Sequence, residues 1–298
     1  MTLKGLHILL TYQCTYECDH CFVKSSPNAE GTFTLAQARN AIDQAAELNS
    51  IEWIFLEGGE PFLFFPVMIE LVKHTKNLGF SVGIVTNGYY GNTIEDAACW
   101  LKPLKKVGLD SLSVSIDEFH QGDGFQSSPA QKTREAAEQI GLAVGTIAIE
   151  KPCEISNPHT PGLPILGGDV RFRGRAADKL INEQLPKFHW ESFDKCPDED
   201  WVDITRLHVD SYGNLFACQG IVLGNLNNDN LKSIIDNYSP EKHPIINPIH
   251  KGGPAELLRR YVLSSLEGKY HDPCHLCFLV RRKLRSKYPE LLAPEQVY

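Results

Sequence analysis

No stretch of this 298-residue chain approaches the ~20 consecutive apolar residues of a bilayer-spanning helix. The first ten residues, Met1 to Leu10, lack the apolar core and cleavage site of a secretory signal, so a cytoplasmic location is expected. A surplus of basic charge is also missing: 29 Lys and Arg stand against 37 Asp and Glu, a net charge of −8. Nucleic-acid binders usually show a clustered basic face, so this balance argues against nucleic acid as a partner. The one basic run, Arg281-Arg282-Lys283 with Arg285 and Lys287, reads as a solvated helix face. Internal repeats and low-complexity segments are absent. The remaining composition, 42% hydrophobic and 22% charged, can bury a sizeable core and excludes intrinsic disorder. The length allows one large domain, or a large one with a small companion.

Strand-like and helix-like segments alternate through the first two-thirds of the chain. Strands are expected over 6–11, 51–56, 80–85, 111–116, 142–149 and 170–172. Helices are expected after the capping box Thr34-Leu35-Ala36-Gln37 and over 67–78, 94–107 and 130–140. This alternation predicts an α/β fold whose parallel sheet is built from right-handed crossovers. Ligands then collect beyond the carboxyl ends of the strands. The pattern changes near Leu185. Residues 205–218 read as an antiparallel hairpin turned at Ser211-Tyr212-Gly213-Asn214, followed by short helices and a Pro/Asn-rich loop over 238–254. A boundary near residue 190 divides a core domain, 1–190, from a smaller one, 191–298.

Nine cysteines in a reducing compartment point to metal binding or redox chemistry rather than disulfides. Cys14, Cys18 and Cys21 have C-x3-C-x2-C spacing. Three thiolates on one loop can hold three irons of a four-iron cubane and leave the fourth open. The alternative is a zinc ion with His20 as fourth ligand. Cys274 and Cys277 form a C-x2-C pair, Gly213-x4-Cys218 closes the hairpin, and Cys196 precedes it. Four such cysteines could close either a cluster or a structural zinc site. Cys99 lies in a helical apolar pattern and reads as a core residue. Cys153 follows the fifth strand, either as a spectator in a loop or as a hydrogen-atom donor facing a substrate.

The three-cysteine motif, set just after the first strand, resembles that of the radical S-adenosylmethionine (SAM) superfamily. Gly58-Gly59-Glu60-Pro61, after the second strand, resembles the same family's second motif. The resemblance implies a partial (β/α)6 TIM-like barrel with a four-iron four-sulfur cluster on Cys14, Cys18 and Cys21. The open iron would chelate the amino and carboxylate groups of SAM, and electron transfer would release a 5′-deoxyadenosyl radical that abstracts a substrate hydrogen. Gly58, Gly59 and Glu60 are then expected at the methionine ammonium. The fourth strand ends in Ser113-Val114-Ser115-Ile116-Asp117, whose alternation sets Ser115 and Asp117 on one face as further SAM contacts. Thr86-Asn87-Gly88 resembles a common family segment, and its other reading is a plain turn. Many relatives carry Gly after that Asp and an Arg shortly beyond it, whereas here Glu118 follows and no Arg appears before Arg134. Arg173 or Arg175, in a segment that resembles one the family carries after its sixth strand, is the candidate for the SAM carboxylate, the other reading being simple surface or domain-packing arginines.

Cys196, Cys218, Cys274 and Cys277 resemble the short, Twitch-type form of the SPASM extension, which implies a second four-iron cluster in a small C-terminal α+β domain. Such enzymes draw electrons from a donor such as flavodoxin or ferredoxin. Their substrates are expected to be a peptide or protein side chain, or alternatively a small molecule undergoing alcohol dehydrogenation. No leader-recognition domain is expected before Cys14. The 152–168 and 238–254 segments are expected to line the substrate site. The non-enzyme alternative is a zinc-binding interaction module.

Overall fold

The computed structural model describes residues 2–122, 124–156 and 165–298. Five strands, β1 (Gly5–Thr11), β2 (Trp53–Gly58), β3 (Ser81–Thr86), β4 (Ser111–Ser115) and β5 (Ala143–Ile147), pair in parallel in chain order. Between them run α1 (Leu35–Ala46), α2 (Phe65–Asn77), α3 (Ile94–Lys106), α4 (Glu118–Gln121) and α5 (Pro129–Gln139). Thr34 and Gln37 form the expected reciprocal capping box at the start of α1. Thr93 and Ser128 cap α3 and α5 in the same way, each side chain accepting a backbone N–H.

Alternation along the strands separates two faces. Leu6, Ile8, Ile54, Leu56, Val82, Ile84, Leu112 and Val114 are buried in the core shared with the helices. The opposite face carries His7, Phe55, Glu57, Ser113 and Gly145, of which the first four are partly covered and Gly145 is exposed.

Past β5 the chain departs from the expected alternation. Cys153–Ile155 (β6) and Ile165–Gly167 (β7) form a small antiparallel pair, so Cys153 lies in a strand, not a loop, and is exposed. The rest of the 152–168 segment, 157–164, lies outside the described residues. Residues 170–172, expected as a sixth barrel strand, are not a strand. The short helix α6 (Ala176–Lys179) follows, then β8 (Phe188–His189). Phe172 is fully buried against His271 and His275 and its backbone N–H donates to Asp272 Oδ2, so packing and a side-chain acceptor rather than a sheet ladder fix this segment.

The hairpin expected over 205–218 is present as β9 (Arg206–Asp210) and β10 (Asn214–Phe216), with β11 (Gly224–Asn225) beyond it. β9 runs parallel to β1, so the hairpin extends the same sheet to eight strands in the order β11-β10-β9-β1-β2-β3-β4-β5. The remaining elements are α7 (Leu231–Asn237), α8 (Ile246–Arg260), β12 (Lys269–Tyr270), which pairs with β8, and α9 (Pro273–Leu284). The 238–254 segment is thus not all loop: α8 begins at Ile246 and is broken only at Gly252 and Gly253. Cys99 is exposed on α3 rather than buried in the core.

Candidate functional site

Cys14, Cys18 and Cys21 lie on the segment that leaves the carboxyl end of β1. This segment is tied to its neighbours through backbone groups: Cys14 donates to Ser26 O (3.0 Å), Cys21 to Cys18 O (3.1 Å), and Glu60 to Gln13 O (2.9 Å). The sulfurs accept as well, Cys14 from Tyr16 N (3.4 Å) and Asn87 Nδ2 (3.5 Å), Cys21 from Ser25 N (3.3 Å). Burial pushes the Cys14 thiol up to about 11, and burial together with Cys21 and Cys14 pushes Cys18 higher. Burial thus disfavours the thiolate at Cys14 and Cys18, a cost that a bound metal centre offsets.

Two ligand-atom groups among the described residues draw within 4.8 Å, His7–Glu57–His208 and His20–Asp117–His120, and neither includes a cysteine. Zn–S bonds of about 2.3 Å would hold sulfurs under ~4 Å apart, whereas a cubane takes each sulfur at a separate iron. His20 lines the same cavity as the sulfurs, but its ligand atoms group with Asp117 and His120 rather than with a cysteine, its ring 4.6 Å from Phe119 and 5.0 Å from His120. The donor set therefore fits an iron–sulfur cluster better than the zinc alternative.

Beside the sulfurs opens a cavity of about 260 Å³ whose lining includes Gly58, Gly59, Asn87 and Ser115. Gly58 and Gly59 are required by close approach: a Cβ would come within 2.3 Å of Thr11 O at Gly58, where φ is +136°, and within 2.1 Å of Gln13 O at Gly59. Glu60 does not line this cavity. Its fully buried carboxyl accepts from Phe62 N, Thr86 Oγ1 and Asn87 N (2.7 Å for the last), tying the end of β2 to the end of β3. Burial pushes that carboxyl up to about 7. Ser115 does face the cavity. Asp117 instead caps α4, accepting from His120 N and facing His120 Nδ1, and it also accepts from Ile149 N.

The two arginines expected at a carboxylate have other partners. Arg175 donates to Cys18 O and Ser25 O, both at 2.7 Å, while its backbone N–H donates to Cys21 O. Gly174, at φ +58°, lets this segment lie on the cysteine loop, where a Cβ would meet Cys21 O at 2.6 Å. Arg173 donates to Cys218 Sγ (3.5 Å) and lies 3.9 Å from Asp198. The expectation of a carboxylate grip at Arg173 or Arg175 therefore gives way to these roles, and no Arg or Lys lines the cavity among the described residues.

Cys196, Cys218, Cys274 and Cys277 meet around one small enclosed cavity together with Arg173 and Arg281. The Cys274 thiol faces Asp198 Oδ2 at 3.4 Å, and burial pushes the Cys277 thiol up to about 12. Arg281, expected in a solvated basic run, is 2% exposed and donates to Gln219 O at 2.8 Å. Sequence reasoning missed it. The available signal was its position four residues after Cys277 and seven after Cys274, on the same face of α9.

Residues 8–135 match the model of the radical SAM superfamily. Among curated proteins, the chain is 26% identical over 159 residues to the tungsten-containing aldehyde ferredoxin oxidoreductase cofactor-modifying protein of Pyrococcus furiosus, covering 50% of this chain and 43% of that protein. It is 26% identical over 140 residues to the antilisterial bacteriocin subtilosin biosynthesis protein AlbA of Bacillus subtilis, covering 45% and 30%. The chain thus spans less than half the length of these relatives. Among solved structures, BtrN in complex with AdoMet and 2-DOIA aligns with a TM-score of 0.48 at 17% identity, over 79% of this chain and 82% of that one.

Proposed function

The chain is a member of the radical SAM superfamily, and from that premise we propose that it modifies a peptide or protein side chain by hydrogen abstraction. The observation that carries the reading is the meeting of Cys14, Cys18 and Cys21 with Gly59, Asn87 and Ser115 around one cavity at the carboxyl ends of the strands. When bound there, a four-iron cluster with one open iron supplies the electron that splits SAM and yields a 5′-deoxyadenosyl radical. Ser115 and Asn87 offer the polar contacts within the cavity. Glu60 acts beneath it, holding the Thr86–Asn87 backbone at the rim. Arg175 fixes the loop carbonyls so that the three sulfurs keep their spacing.

Half-buried Arg173 and buried Arg281 set two positive charges against Cys196, Cys218, Cys274 and Cys277, an arrangement suited to a second, fully ligated cluster in electron transfer. The peptide assignment is supported by the bacteriocin-biosynthesis relative. A low-potential donor such as flavodoxin or ferredoxin would dock near either cysteine set, and no helix among the described residues is long and apolar enough to cross a membrane.

The test is anaerobic reconstitution with iron and sulfide, followed by reduction with dithionite and SAM. Release of 5′-deoxyadenosine is expected. Deuterium should enter it from the peptide-sized fraction of a deuterated cell extract and not from the metabolite fraction. A colourless protein that keeps zinc and leaves SAM intact would sink the radical reading, and label from metabolites alone would sink the peptide one.

A further inference from the structure

Three residues that neither cysteine set uses lie close together on one face of the sheet. His7 and His208 are direct register partners on β1 and β9, and Glu57 stands near the end of the next strand, β2. His7 Nδ1 is 2.7 Å from Glu57 Oε2, and His208 Nδ1 is 2.9 Å from Glu57 Oε1. The two imidazoles stack at 4.5 Å, which turns both Nδ1 atoms to the same carboxylate. Phe55 stacks on the outer side of His7 and Trp53 meets its edge, so that ring has little freedom to turn away. All three side chains are mostly covered, at 14–17% exposure.

We infer that His7, Glu57 and His208 form a site for a divalent first-row transition metal, separate from both cysteine sets. Two imidazoles and one carboxylate are a donor set that suits zinc, ferrous iron or cobalt and offers no sulfur to a soft ion. Their ligand atoms already lie within 4.8 Å of one another, so coordination needs no movement of the backbone. When Nδ1 takes the ion, each ring carries its proton on Nε2. With only three protein ligands, the ion keeps positions open for water or an oxygen of a bound molecule. Glu57 also borders the cavity beside Cys14, Cys18 and Cys21, so those positions lie near the reacting end of the molecule. The inference does not depend on what the cavity binds.

The experiment adds zinc alone to the anaerobically reconstituted holoprotein, in which the cysteines are committed to iron. Metal content is read after gel filtration, and the zinc surroundings by X-ray absorption. About one zinc per chain is expected, with nitrogen and oxygen neighbours, imidazole scattering and no sulfur at about 2.3 Å. His7→Ala, His208→Ala and the near-isosteric Glu57→Gln should each weaken zinc at least tenfold while iron content stays at the wild-type level. If an alanine variant loses its iron through misfolding, Glu57→Gln and the wild-type spectrum still decide. A wild type that passes gel filtration without zinc, zinc with sulfur neighbours, or folded variants that bind as tightly as wild type would each overturn the site.

Discussion

Cys14, Cys18 and Cys21 come from eight consecutive residues, whereas Cys196, Cys218, Cys274 and Cys277 are gathered from distant points of the chain. The first set is held by backbone: N–H groups of Tyr16 and Ser25 point at its sulfurs, and Arg175 grips its carbonyls without touching a sulfur. The second set also receives backbone N–H groups, those of Asp198 and Glu199 at Cys196, but adds charge, with half-buried Arg173 and buried Arg281 beside it and α9 presenting two of its cysteines one turn apart. A cavity of about 260 Å³ opens beside the first set, while the second surrounds a small enclosed cavity and is reached by an open pocket at Cys196. This difference teaches that a contiguous motif can carry its cysteines on one loop beside a cavity, whereas cysteines gathered from distant positions need the packing of other elements and the charges of Arg173 and Arg281 to meet.

The comparison breaks first at the sulfurs. Cys18→Ala should abolish 5′-deoxyadenosine release, at least ~1,000-fold by chromatography, and lower iron by about four per chain. Cys277→Ala should remove a similar amount of iron yet keep reductive SAM cleavage, with substrate modification lost. Equal loss of cleavage in both variants would erase the division of labour. Next in size is the buried charge. Arg281→Met leaves the second set without one of its cations and Gln219 O without its donor, at a cost of about 3–5 kcal/mol. The second reduction potential should fall while the first stays in place, as spectroelectrochemistry would show, and Arg281→Lys should restore part of the shift.

The carboxyl beneath the first set gives a pH test. Glu60 is raised from 4.5 to about 7 by burial, so between those values the folded chain holds a proton that the unfolded chain has released. Its contribution to stability is full below about 4.5 and is lost as pH rises through about 7. That difference amounts to at most about 3 kcal/mol. Relative to Glu60→Gln, the wild type should therefore have its larger advantage in Tm at pH 5 and its smaller one at pH 8. An advantage that grows with pH would show the carboxyl is held ionised.

Much of this arrangement is legible in the residues, because the local signals are strong. Apolar alternation marks all five strands of the parallel core, and Thr34 with Gln37 marks α1. The hairpin turn at Ser211 to Asn214 is readable from its Gly and Asn. What escaped was decided by partners remote in sequence. Residues 170–172 look like a strand but find Phe172 a place among His271 and His275. Arg281 reads as surface charge until α9 packs it against the cysteines. The His7–Glu57–His208 group is invisible without register, since its members lie 50 and 151 residues apart and become neighbours only when β9 joins β1. The glycines after β2 were legible as a motif, but their close approach to Thr11 and Gln13 was not.

The smallest expected effect concerns the way the first loop is held. Arg175 forks between Cys18 O and Ser25 O, one carbonyl inside the cysteine motif and one just past it. Arg175→Met keeps the length and the apolar stem but leaves both carbonyls without that donor, which costs about 1–3 kcal/mol. Because the sulfurs keep their own N–H donors from Tyr16 and Ser25, the loop should still take up iron. The cluster should then be lost to a chelator several-fold faster than in wild type, while the second set keeps its iron. Arg175→Lys, a single point donor that cannot reach both carbonyls in a fork, should fall between the two. Loss of iron from the second set instead would mean that Arg175 and Arg173 act as one clamp, and that the two regions are less independent than their separate partners imply.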